Sequence, residues 1–437
     1  MRRDGFDATG ERTVITLRTR SPGLRAAVVD SGVTVQQAVG VDTQVGIVGA
    51  GPAGLLLSHL LHLQGIASVV LERRDRAYVE HRLRAGVLEH GTVQTLREAG
   101  VGFRLDAEGM VHEGVELRFG RRGHRIDFAD LVGRTITVYG QQEVVKDLIA
   151  ARLAAGGDIR FDIADVALHD LDTDRPRIGF ADADGRPGAL ECEFVVGADG
   201  YHGVSRPTVP AAALGTVERA YPFAWLGILA QAPPSSAELI YARHERGFAL
   251  HSMRSPEITR MYLQVGPEED LANWPDDRIW AELHSRLATE DGFTLTEGPL
   301  LDRGITPMRS VVAAPMQYGR LFLAGDAAHI VPPTGAKGMN LAVADVRTLS
   351  QALGGWYADR RDDLLAAYTD TALRRVWRAT HFSWWMTSML HADPEDDAFG
   401  ERLALAQLEY VVSSRAAATS LAENYTGLPY PHGWSYR

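Results

Sequence analysis

Residues 44–54 read Gln-Val-Gly-Ile-Val-Gly-Ala-Gly-Pro-Ala-Gly, and this stretch decides the fold. Its first five residues have the apolar pattern of a buried strand. Gly49, Gly51 and Gly54 follow at a spacing that lets the backbone turn tightly and approach a pyrophosphate, which then sits at the start of a helix. The stretch therefore predicts a strand, a glycine-rich turn and a helix that together bind a dinucleotide.

The residues after this turn complete the unit. The apolar run at 53–63 predicts the helix, and residues 68–71 predict a second buried strand. Glu72 ends that strand, at the place where a carboxylate accepts hydrogen bonds from ribose hydroxyls. A lone glycine motif is weak evidence, but its position between a strand and a helix, together with this carboxylate, predicts a βαβ unit.

Two later stretches have related patterns. Residues 197–206 read Gly-Ala-Asp-Gly-Tyr-His-Gly-Val-Ser-Arg, and residues 319–329 read Gly-Arg-Leu-Phe-Leu-Ala-Gly-Asp-Ala-Ala-His. Each predicts a strand followed by a tight turn, and the second places Asp326 where a carboxylate can accept from a ribityl hydroxyl. Residues 332–340 should lead into a helix whose N-terminal amides face a flavin ring, because the positive end of a helix stabilises negative charge there.

The composition limits the class of protein. The 437 residues carry a formal net charge of −11, with 45% hydrophobic and 23% charged residues, which is a normal globular balance. A general nucleic-acid binder needs a basic surface, so no nucleic-acid partner is expected. The most apolar stretch contains several polar residues, so no membrane span is expected either. Cys192 is the one cysteine, which excludes an internal disulfide and a cysteine metal cluster, and this favours a reducing cytoplasm.

The three motifs have the order and spacing typical of the single-component flavoprotein aromatic hydroxylases, and the chain resembles that family from about residue 44 to residue 430. The likeness extends to further stretches at residues 82–86, 111–114, 137–141, 383–386 and 422–430. The resemblance implies an enzyme that binds FAD, takes electrons from NADPH, with NADH as the alternative, and consumes O2. Through a flavin C4a-hydroperoxide, it would hydroxylate 4-hydroxybenzoate at the 3-position to give 3,4-dihydroxybenzoate (protocatechuate).

The fold class implied is α/β, a Rossmann-like FAD-binding domain interrupted by an antiparallel-sheet substrate domain, with a helical C-terminal interface region. We expect a disordered tail at 1–40, the FAD-binding domain at 41–215 and the substrate-binding sheet at 216–308. The chain should return to the FAD domain at 309–330 and continue as the mainly helical region at 331–437. The family also implies a homodimer, formed through this helical region.

The resemblance assigns residues to the substrate. Arg254 would hold the carboxylate of the small aromatic acid, because a guanidinium grips a carboxylate through two hydrogen bonds, and Ser252 and Tyr262 would flank it. Tyr241 would hydrogen-bond the substrate phenol, and the backbone carbonyl of Pro333 would orient the same hydroxyl.

A proton relay is also implied. Tyr241, Tyr425 and His112 would remove the phenolic proton in series, with His112 at the solvent-side end. A phenolate ring is richer in electrons at the ortho carbon than a phenol ring, so this proton loss promotes attack by an oxygen electrophile. Tyrosine both donates and accepts hydrogen bonds, so two in series pass a proton without a permanent buried charge.

The cofactor contacts follow from the same resemblance. Those expected for FAD are Gly49, Gly51, Gly54, Glu72, Arg82, Arg84, Gln141, Asp326 and Asn340. Gln142 takes the place of Gln141 if the match to the family is shifted by one residue. Those expected for NADPH are Arg73, Tyr78, His202, Arg206 and Arg309. Arginines at 73 and 74 favour a 2′-phosphate and hence NADPH over NADH. Small residues at 85 and 86 would let the flavin move between two positions.

Other functions on the same fold stay open at this point. A hydroxylase of another substituted benzoate, such as an aminobenzoate, would keep Arg254 but use the Tyr241 end differently. A flavin reductase would leave the aromatic ring unchanged, and residues 221–225 lack the tryptophan-rich halogenase signature. A non-catalytic FAD-binding regulator would bind the cofactor without turnover.

Overall fold

The structure, a computed structural model, describes residues 43–82, 86–394 and 396–430. The expected tail at 1–40 and Arg84 lie outside these residues. The strands are β1 (Thr43–Val48), β2 (Ser68–Leu71), β3 (Val87–Leu88), β4 (Met110–His112), β5 (Gly114–Phe119), β6 (Arg122–Asp127), β7 (Ile136–Val138), β8 (Asp158–Arg160), β9 (Ala164–His169), β10 (Arg177–Ala181), β11 (Pro187–Gly197), β12 (Gly215–Ala230), β13 (Leu239–Ala242), β14 (Ala249–Ser255), β15 (Ile258–Val265), β16 (Leu300–Ala314), β17 (Gln317–Tyr318), β18 (Leu321–Leu323) and β19 (His329–Ile330).

The helices alternate with these strands in the first half of the chain and dominate its end. They are α1 (Pro52–Leu63), α2 (Arg76–His81), α3 (His90–Glu98), α4 (Phe103–Glu108), α5 (Phe128–Val132), α6 (Gln141–Ala154), α7 (Ser205–Thr208), α8 (Asp276–Leu287), α9 (Gly338–Asp359), α10 (Asp363–Ala366), α11 (Tyr368–Leu390), α12 (Ala398–Ser413) and α13 (Arg415–Thr426). The strand–helix–strand unit predicted from the glycine-rich stretch is confirmed as β1, α1 and β2. The apolar residues before α6 belong to a strand and not to the helix. Val138 pairs with Val87 and Met110 in a small sheet, and the helix begins only after Gly140.

A mostly parallel sheet carries the glycine-rich turn. Its strands run in the order β17-β18-β11-β1-β2-β8, with β9 and β10 added beside β11. β1 lies between β11 and β2 and is parallel to both. The inner strands are apolar without alternation, which a parallel strand buried on both faces requires. Four parallel strands, β1, β2, β11 and β18, therefore end at one edge, where ligands of such sheets bind.

A second sheet is largely antiparallel and runs in the order β19-β16-β12-β15-β14-β13-β5-β6. Side chains alternate between its faces, so Tyr241 and Ile240 on β13 point to opposite sides. The face with Tyr241 packs on α11, α12 and α13, and the face with Ile240 packs on α8. This arrangement brings Tyr241 on β13 beside Tyr425 on α13.

The second sheet uses more of the chain than the expected range of 216–308. It takes in β5 and β6 from the stretch assigned to the FAD-binding domain, since β5 pairs in parallel with β13. β16 runs across residue 308, and the chain rejoins the parallel sheet at β17 and β18. The α/β fold class with a helical end is confirmed, and the division into domains stays a prediction. Among the described residues, no helix combines the length and the apolar character needed to cross a membrane.

Candidate active site

The glycine-rich turn between β1 and α1 forms the floor of a cleft. Gly49 has a φ of +108°, and a Cβ there would lie 2.4 Å from the carbonyl oxygen of Ala198, so only glycine fits. A Cβ on Gly54 would lie 2.0 Å from the carbonyl oxygen of Gly49. At Gly51, by contrast, a Cβ would meet no atom within 4 Å, because this residue faces the open cleft. The turn thus keeps a bare backbone at the start of a helix, which is what a pyrophosphate needs.

Glu72 lies at the end of β2, as predicted, and lines the same cleft. Its carboxylate accepts hydrogen bonds from the backbone N–H of Ala50 at 2.8 Å and of Arg74 at 2.9 Å. These two bonds fix the carboxylate beside the glycine-rich turn. A carboxylate has lone pairs for about four hydrogen bonds, so it can still accept from a ribose.

The turn after β18 brings Asp326 to the cleft as an exposed side chain. A buried pair supports this turn from behind. Asp345 on α9 accepts from the backbone N–H of Gly325 at 2.9 Å and from Nε2 of His329 at 2.6 Å. Burial lowers the pKa of His329, but the attraction of Asp345 outweighs it and leaves that pKa raised.

The start of α9 also faces the cleft, through Gly338 and Met339. Asn340, in the same turn, points elsewhere. Its Oδ1 accepts from the Glu89 backbone N–H and the Thr92 hydroxyl, and its Nδ2 donates to the carbonyls of Val87 and Ala336. The side chain therefore ties α9 to the segment before α3, and its direct contact with a flavin ring stays a prediction.

The cleft as a whole has a volume of about 470 Å³, within the range of small-molecule sites. The predicted FAD residues Gln141 and Arg82 line the cleft, and so does Gln142. The structure therefore does not decide between Gln141 and Gln142 as the FAD contact. The glycine-rich turn, the carboxylate of Glu72, the exposed Asp326 and the start of α9 together fit an FAD molecule.

One arginine marks the far end of the cleft. Arg254 is half-buried on β14, and its Nη1 donates to the carbonyl of Met253 at 2.9 Å. Within the described ranges no carboxylate lies at ion-pair distance from it, although burial lowers its pKa. A desolvated guanidinium that lacks an acidic partner and faces a cleft is suited to bind an anion.

The neighbours of Arg254 include the other predicted substrate residues. Tyr262 lines the cleft, and Trp225 lies against it with ring centroids 4.8 Å apart. Burial raises the pKa of Tyr262, but Arg254 and Arg260 together leave it below its ordinary value. Ser252 is buried and donates to the carbonyl of Arg260 at 3.1 Å, and it is not among the residues that line the cleft.

Two more predicted groups remain, Pro333 and the pair of tyrosines, and only Pro333 lines the cleft. Pro333 lines the cleft, and its carbonyl already accepts from the Ala336 backbone N–H at 2.9 Å, which leaves one lone pair for a ligand. The hydroxyls of Tyr241 and Tyr425 are hydrogen-bonded to each other, and both side chains are 1% exposed. Burial raises the pKa of each phenol, so neither holds a negative charge near neutral pH.

His112 departs from the expectation of a solvent-side residue. It is 1% exposed, and neither ring nitrogen has a hydrogen-bond partner in the part of the chain that the structure describes. Burial lowers the pKa of His112 to about 4, against a weaker opposing attraction from Glu238. The ring lies near Glu238 and His251, which are distant in sequence, so its burial is a tertiary arrangement that its own sequence surroundings do not indicate.

Comparisons with known proteins agree with this geometry. The family model described as the FAD binding domain matches residues 42–383. A curated p-hydroxybenzoate hydroxylase of Acinetobacter baylyi is 47% identical over 389 residues, which are 89% of this chain and 96% of that protein. This chain belongs to the p-hydroxybenzoate hydroxylase family of FAD-dependent aromatic monooxygenases.

More distant relatives of this hydroxylase share the fold. A 3-(3-hydroxy-phenyl)propionate/3-hydroxycinnamic acid hydroxylase of Mycobacterium avium is 26% identical over 375 residues, which cover 77% of this chain and 59% of that longer protein. The crystal structure of a p-nitrophenol 4-monooxygenase from Pseudomonas putida superposes with a TM-score of 0.76 at 19% identity, over 89% of this chain and 100% of that one. The latter likeness concerns the fold alone.

The residues that the sequence assigned to the nicotinamide cofactor lie in two groups. Arg73 and Tyr78 line the cleft beside Glu72, and Tyr78 is 41% exposed. The other three gather around Tyr201. Arg206 donates to the Tyr201 carbonyl at 2.7 Å, the Arg309 guanidinium carbon lies 5.2 Å from its ring, and the His202 ring packs edge-on at 4.9 Å.

The hydroxylase has site residues that sequence reasoning missed. Trp225, Arg260 and Tyr201 are three of them. A fourth is Lys337, which is buried, donates to Glu89 at 2.6 Å and to the Tyr425 carbonyl at 3.1 Å, and so holds the backbone of Tyr425 in place. Residues 332–340 were predicted to lead into the helix that faces the flavin. A lysine in such a glycine-rich segment does not indicate by itself that its side chain is buried.

Proposed function

We propose that this hydroxylase converts 4-hydroxybenzoate to 3,4-dihydroxybenzoate, with one atom of O2 entering the ring and the other leaving as water while NADPH is oxidised. The observation that supports it best is the combination of Arg254, which lacks an acidic partner at one end of the cleft, with the buried Tyr241–Tyr425 pair on the sheet face that also carries Tyr262. A benzoate with a para hydroxyl carries the two groups that such a pair of sites would recognise.

The carboxylate end is the simpler of the two. Arg254 would hold the substrate carboxylate by two charge-assisted hydrogen bonds, and Tyr262 beside it would add a donor. Ser252 would have to turn its hydroxyl away from the Arg260 carbonyl to join them. A neutral aromatic ligand would leave the half-buried guanidinium without an anionic partner, which disfavours binding of such a ligand.

The phenol end requires a proton path. Tyr241 would accept the phenolic proton while it donates its own to Tyr425, and a water between Tyr425 and His112 would carry the proton onward. Because burial raises the pKa of both tyrosines, each passes the proton on rather than retaining a charge. The substrate ring then becomes more reactive at the carbon beside its oxygen.

FAD, when bound, supplies the redox chemistry, since it takes a hydride from the nicotinamide and activates O2. Gly49, Gly51 and Gly54 would hold its pyrophosphate, and Glu72 and Asp326 would hold its ribose and ribityl hydroxyls. The start of α9 would place backbone N–H groups and a positive helix end near the ring.

The nicotinamide donor is proposed as NADPH. Arg73 lies in the cleft, and Arg74 stacks on Tyr78 with its guanidinium carbon 4.8 Å from the ring. Two guanidinium groups at one point suit a 2′-phosphate. The cluster of His202, Arg206 and Arg309 would contact the rest of the dinucleotide.

A homodimer in the cytoplasm is proposed as the working form. α11 presents Trp377 and Trp384 outward, and α12 presents Phe399, Leu403 and Tyr410, all of them at least 37% exposed. Apolar patches of this kind mark protein contacts. Cys192 is buried and unpaired, so no disulfide calls for an oxidising compartment.

Product analysis tests the function. The purified holoenzyme is mixed with NADPH and air in the presence of 4-hydroxybenzoate, and the aromatic product is identified by chromatography. We expect faster NADPH oxidation with substrate and one 3,4-dihydroxybenzoate per NADPH. Faster oxidation with an aminobenzoate but not with 4-hydroxybenzoate would favour the other benzoate hydroxylases, and oxidation that leaves the ring unchanged would refute hydroxylation.

A further inference from the structure

The proposed proton path ends inside the protein. His112 is 1% exposed and both of its ring nitrogens lack a protein partner among the described residues. A proton that reaches this ring has therefore not yet reached solvent. The phenolic proton must leave before the ring is hydroxylated and return afterwards, so the path needs a further group between His112 and the surface.

The strand register brings Glu238 to this place. β5 and β13 pair in parallel, with Val115 opposite Leu239, so Glu238 lies beside Gly114, two residues after His112. The guanidinium of Arg125 on β6 packs over Gly114. A Cβ on Gly114 would lie 3.2 Å from the Cζ atom of Arg125. Arg125 there donates to both carboxylate oxygens of Glu238, at 2.7 and 2.9 Å.

Glu238 has the exposure that His112 lacks. Its side chain is 18% exposed, and that of Arg125 is 44% exposed. Arg125 has a second acidic partner, Asp127, at 2.5 Å, so it stays neutralised in part if Glu238 takes up a proton. The carboxylate therefore lies at the border between the buried ring and solvent.

The electrostatics of His112 favour a rapid transfer. Burial lowers the pKa of His112 to about 4, so a protonated ring loses its proton quickly. The negative charge of Glu238 attracts that proton towards its carboxylate. Among the described residues, His251 is a second titratable group that interacts with His112. It is buried, its Nε2 accepts from the Ser235 backbone N–H at 3.1 Å, and burial lowers its pKa to about 4, with Arg118 lowering it further. His251 is thus a poor acceptor, and Glu238 is the better one.

We propose that Glu238, held by Arg125, is the outlet through which His112 passes the substrate proton to solvent. The inference rests on the proposed function. One N–H bond of the protonated His112 breaks and one O–H bond forms on Glu238, directly or through one water, as Arg125 releases that oxygen. Glu238 then loses the proton to bulk water, so both groups return to their starting states and no electron moves. Glu238 acts through His112 and does not touch the substrate.

A pH-jump on the holoenzyme with 4-hydroxybenzoate bound, in the absence of NADPH, tests the outlet. The absorbance of the bound phenolate reports the rate at which the substrate proton reaches solvent. We expect Glu238→Gln to slow this rate about tenfold or more, because the amide still accepts from Arg125 but takes up no proton. The dissociation constants of the substrate and FAD should not change. A small diffusible buffer such as imidazole should restore the rate, and Glu238→Asp should retain much of it.

The controls separate an outlet from a structural role. Asp127→Asn removes the other negative charge beside Arg125, but its amide oxygen can still accept from the Asp130 N–H at the start of α5. This variant should exchange protons at the wild-type rate. His112→Gln should be slow, and adding Glu238→Gln to it should slow it no further. A wild-type rate in Glu238→Gln beside a slow His112→Gln would overturn the outlet alone, as would a slow rate that neither buffer nor Glu238→Asp restores. A wild-type enzyme that gives no phenolate signal would overturn the substrate assignment as well.

Discussion

Among single residues, Arg254 has the most direct effect on substrate choice. It is half-buried with no acidic partner within ion-pair distance among the described residues. We expect Arg254→Lys to raise the dissociation constant of 4-hydroxybenzoate by about 10- to 100-fold, because an ammonium cannot form the bidentate pair and one charged hydrogen bond is worth about 1.5–3 kcal/mol. Titration of the flavin absorbance measures this constant.

Two comparisons make the Arg254 result specific. Ser255→Ala changes the next residue of β14, whose hydroxyl donates to Glu257, and should bind 4-hydroxybenzoate as the wild type does. The amide analogue 4-hydroxybenzamide lacks the carboxylate, so its weaker binding should be the same in the wild type and in Arg254→Lys. Equal affinity of both proteins for 4-hydroxybenzoate would show that another group holds the carboxylate.

The sequence predicted some residues of this site better than others. The glycines and Glu72 follow from local chemistry, since each must lie next to a phosphate or a ribose in the same βαβ unit. Tyr241 and Tyr425 are 184 positions apart, and only resemblance suggested their contact. The burial of His112 was not predicted, because exposure depends on which strands cover a residue and no local pattern records that.

At the scale of elements, local sequence patterns predicted β1, α1, β2, β11 and β18 of the parallel sheet and gave less information about which strands pair. β5 has the alternation of a half-buried strand, but its partner β13 lies more than a hundred residues further on. The side of the second sheet that Tyr241 faces follows from the two-residue alternation of β13, once its helical cover is known.

The turn between β1 and α1 gives a prediction for an element. Gly51 has open space at its Cβ position, whereas a Cβ on Gly54 would lie 2.0 Å from a backbone oxygen. The apoprotein of Gly51→Val should therefore unfold at the wild-type midpoint but bind FAD at least about 100-fold more weakly, as expected if two charged hydrogen bonds to the pyrophosphate are lost. Gly54→Ala should lower the midpoint. Flavin fluorescence and thermal unfolding measure the two effects, and a destabilised Gly51→Val with full FAD affinity would contradict this account.

At the scale of the whole molecule, the outward apolar side chains of α11 and α12 predict self-association. Leu403 on α12 is 56% exposed, so Leu403→Glu would place a charge in the proposed dimer contact. We expect sedimentation to give a dimer for the wild type and a monomer for Leu403→Glu, with FAD content retained. Phe103→Glu, on the 86% exposed Phe103 of α4, is the matched control and should stay dimeric. A dimeric Leu403→Glu would place the interface elsewhere.

Several buried histidines make the folded molecule sensitive to acid. Burial lowers the pKa values of His112 and His251 to about 4 and of His391 to about 3, from an ordinary 6.5. His391 accepts a hydrogen bond from Trp225 Nε1 at 2.7 Å, which requires an unprotonated ring nitrogen. The unfolded chain binds protons at these histidines between pH 6.5 and 4 while the folded chain does not, so stability falls as the pH falls through this window. His329, whose pKa is raised, acts in the opposite direction.

This linkage gives a prediction for a single histidine. His251→Gln removes one of the titrations, and the Gln amide oxygen can still accept from the Ser235 backbone N–H. For a group whose pKa shifts from 6.5 to about 4, the loss of unfolding free energy between pH 7.5 and 5 is about 2 kcal/mol. The variant should therefore lose about 2 kcal/mol less than the wild type over that range, measured by urea unfolding of the holoenzyme. His169→Gln, at an exposed histidine, should follow the wild type. If His251→Gln lost as much stability in acid as the wild type, the pKa of His251 in the folded protein would equal its value in the unfolded chain, contrary to this prediction.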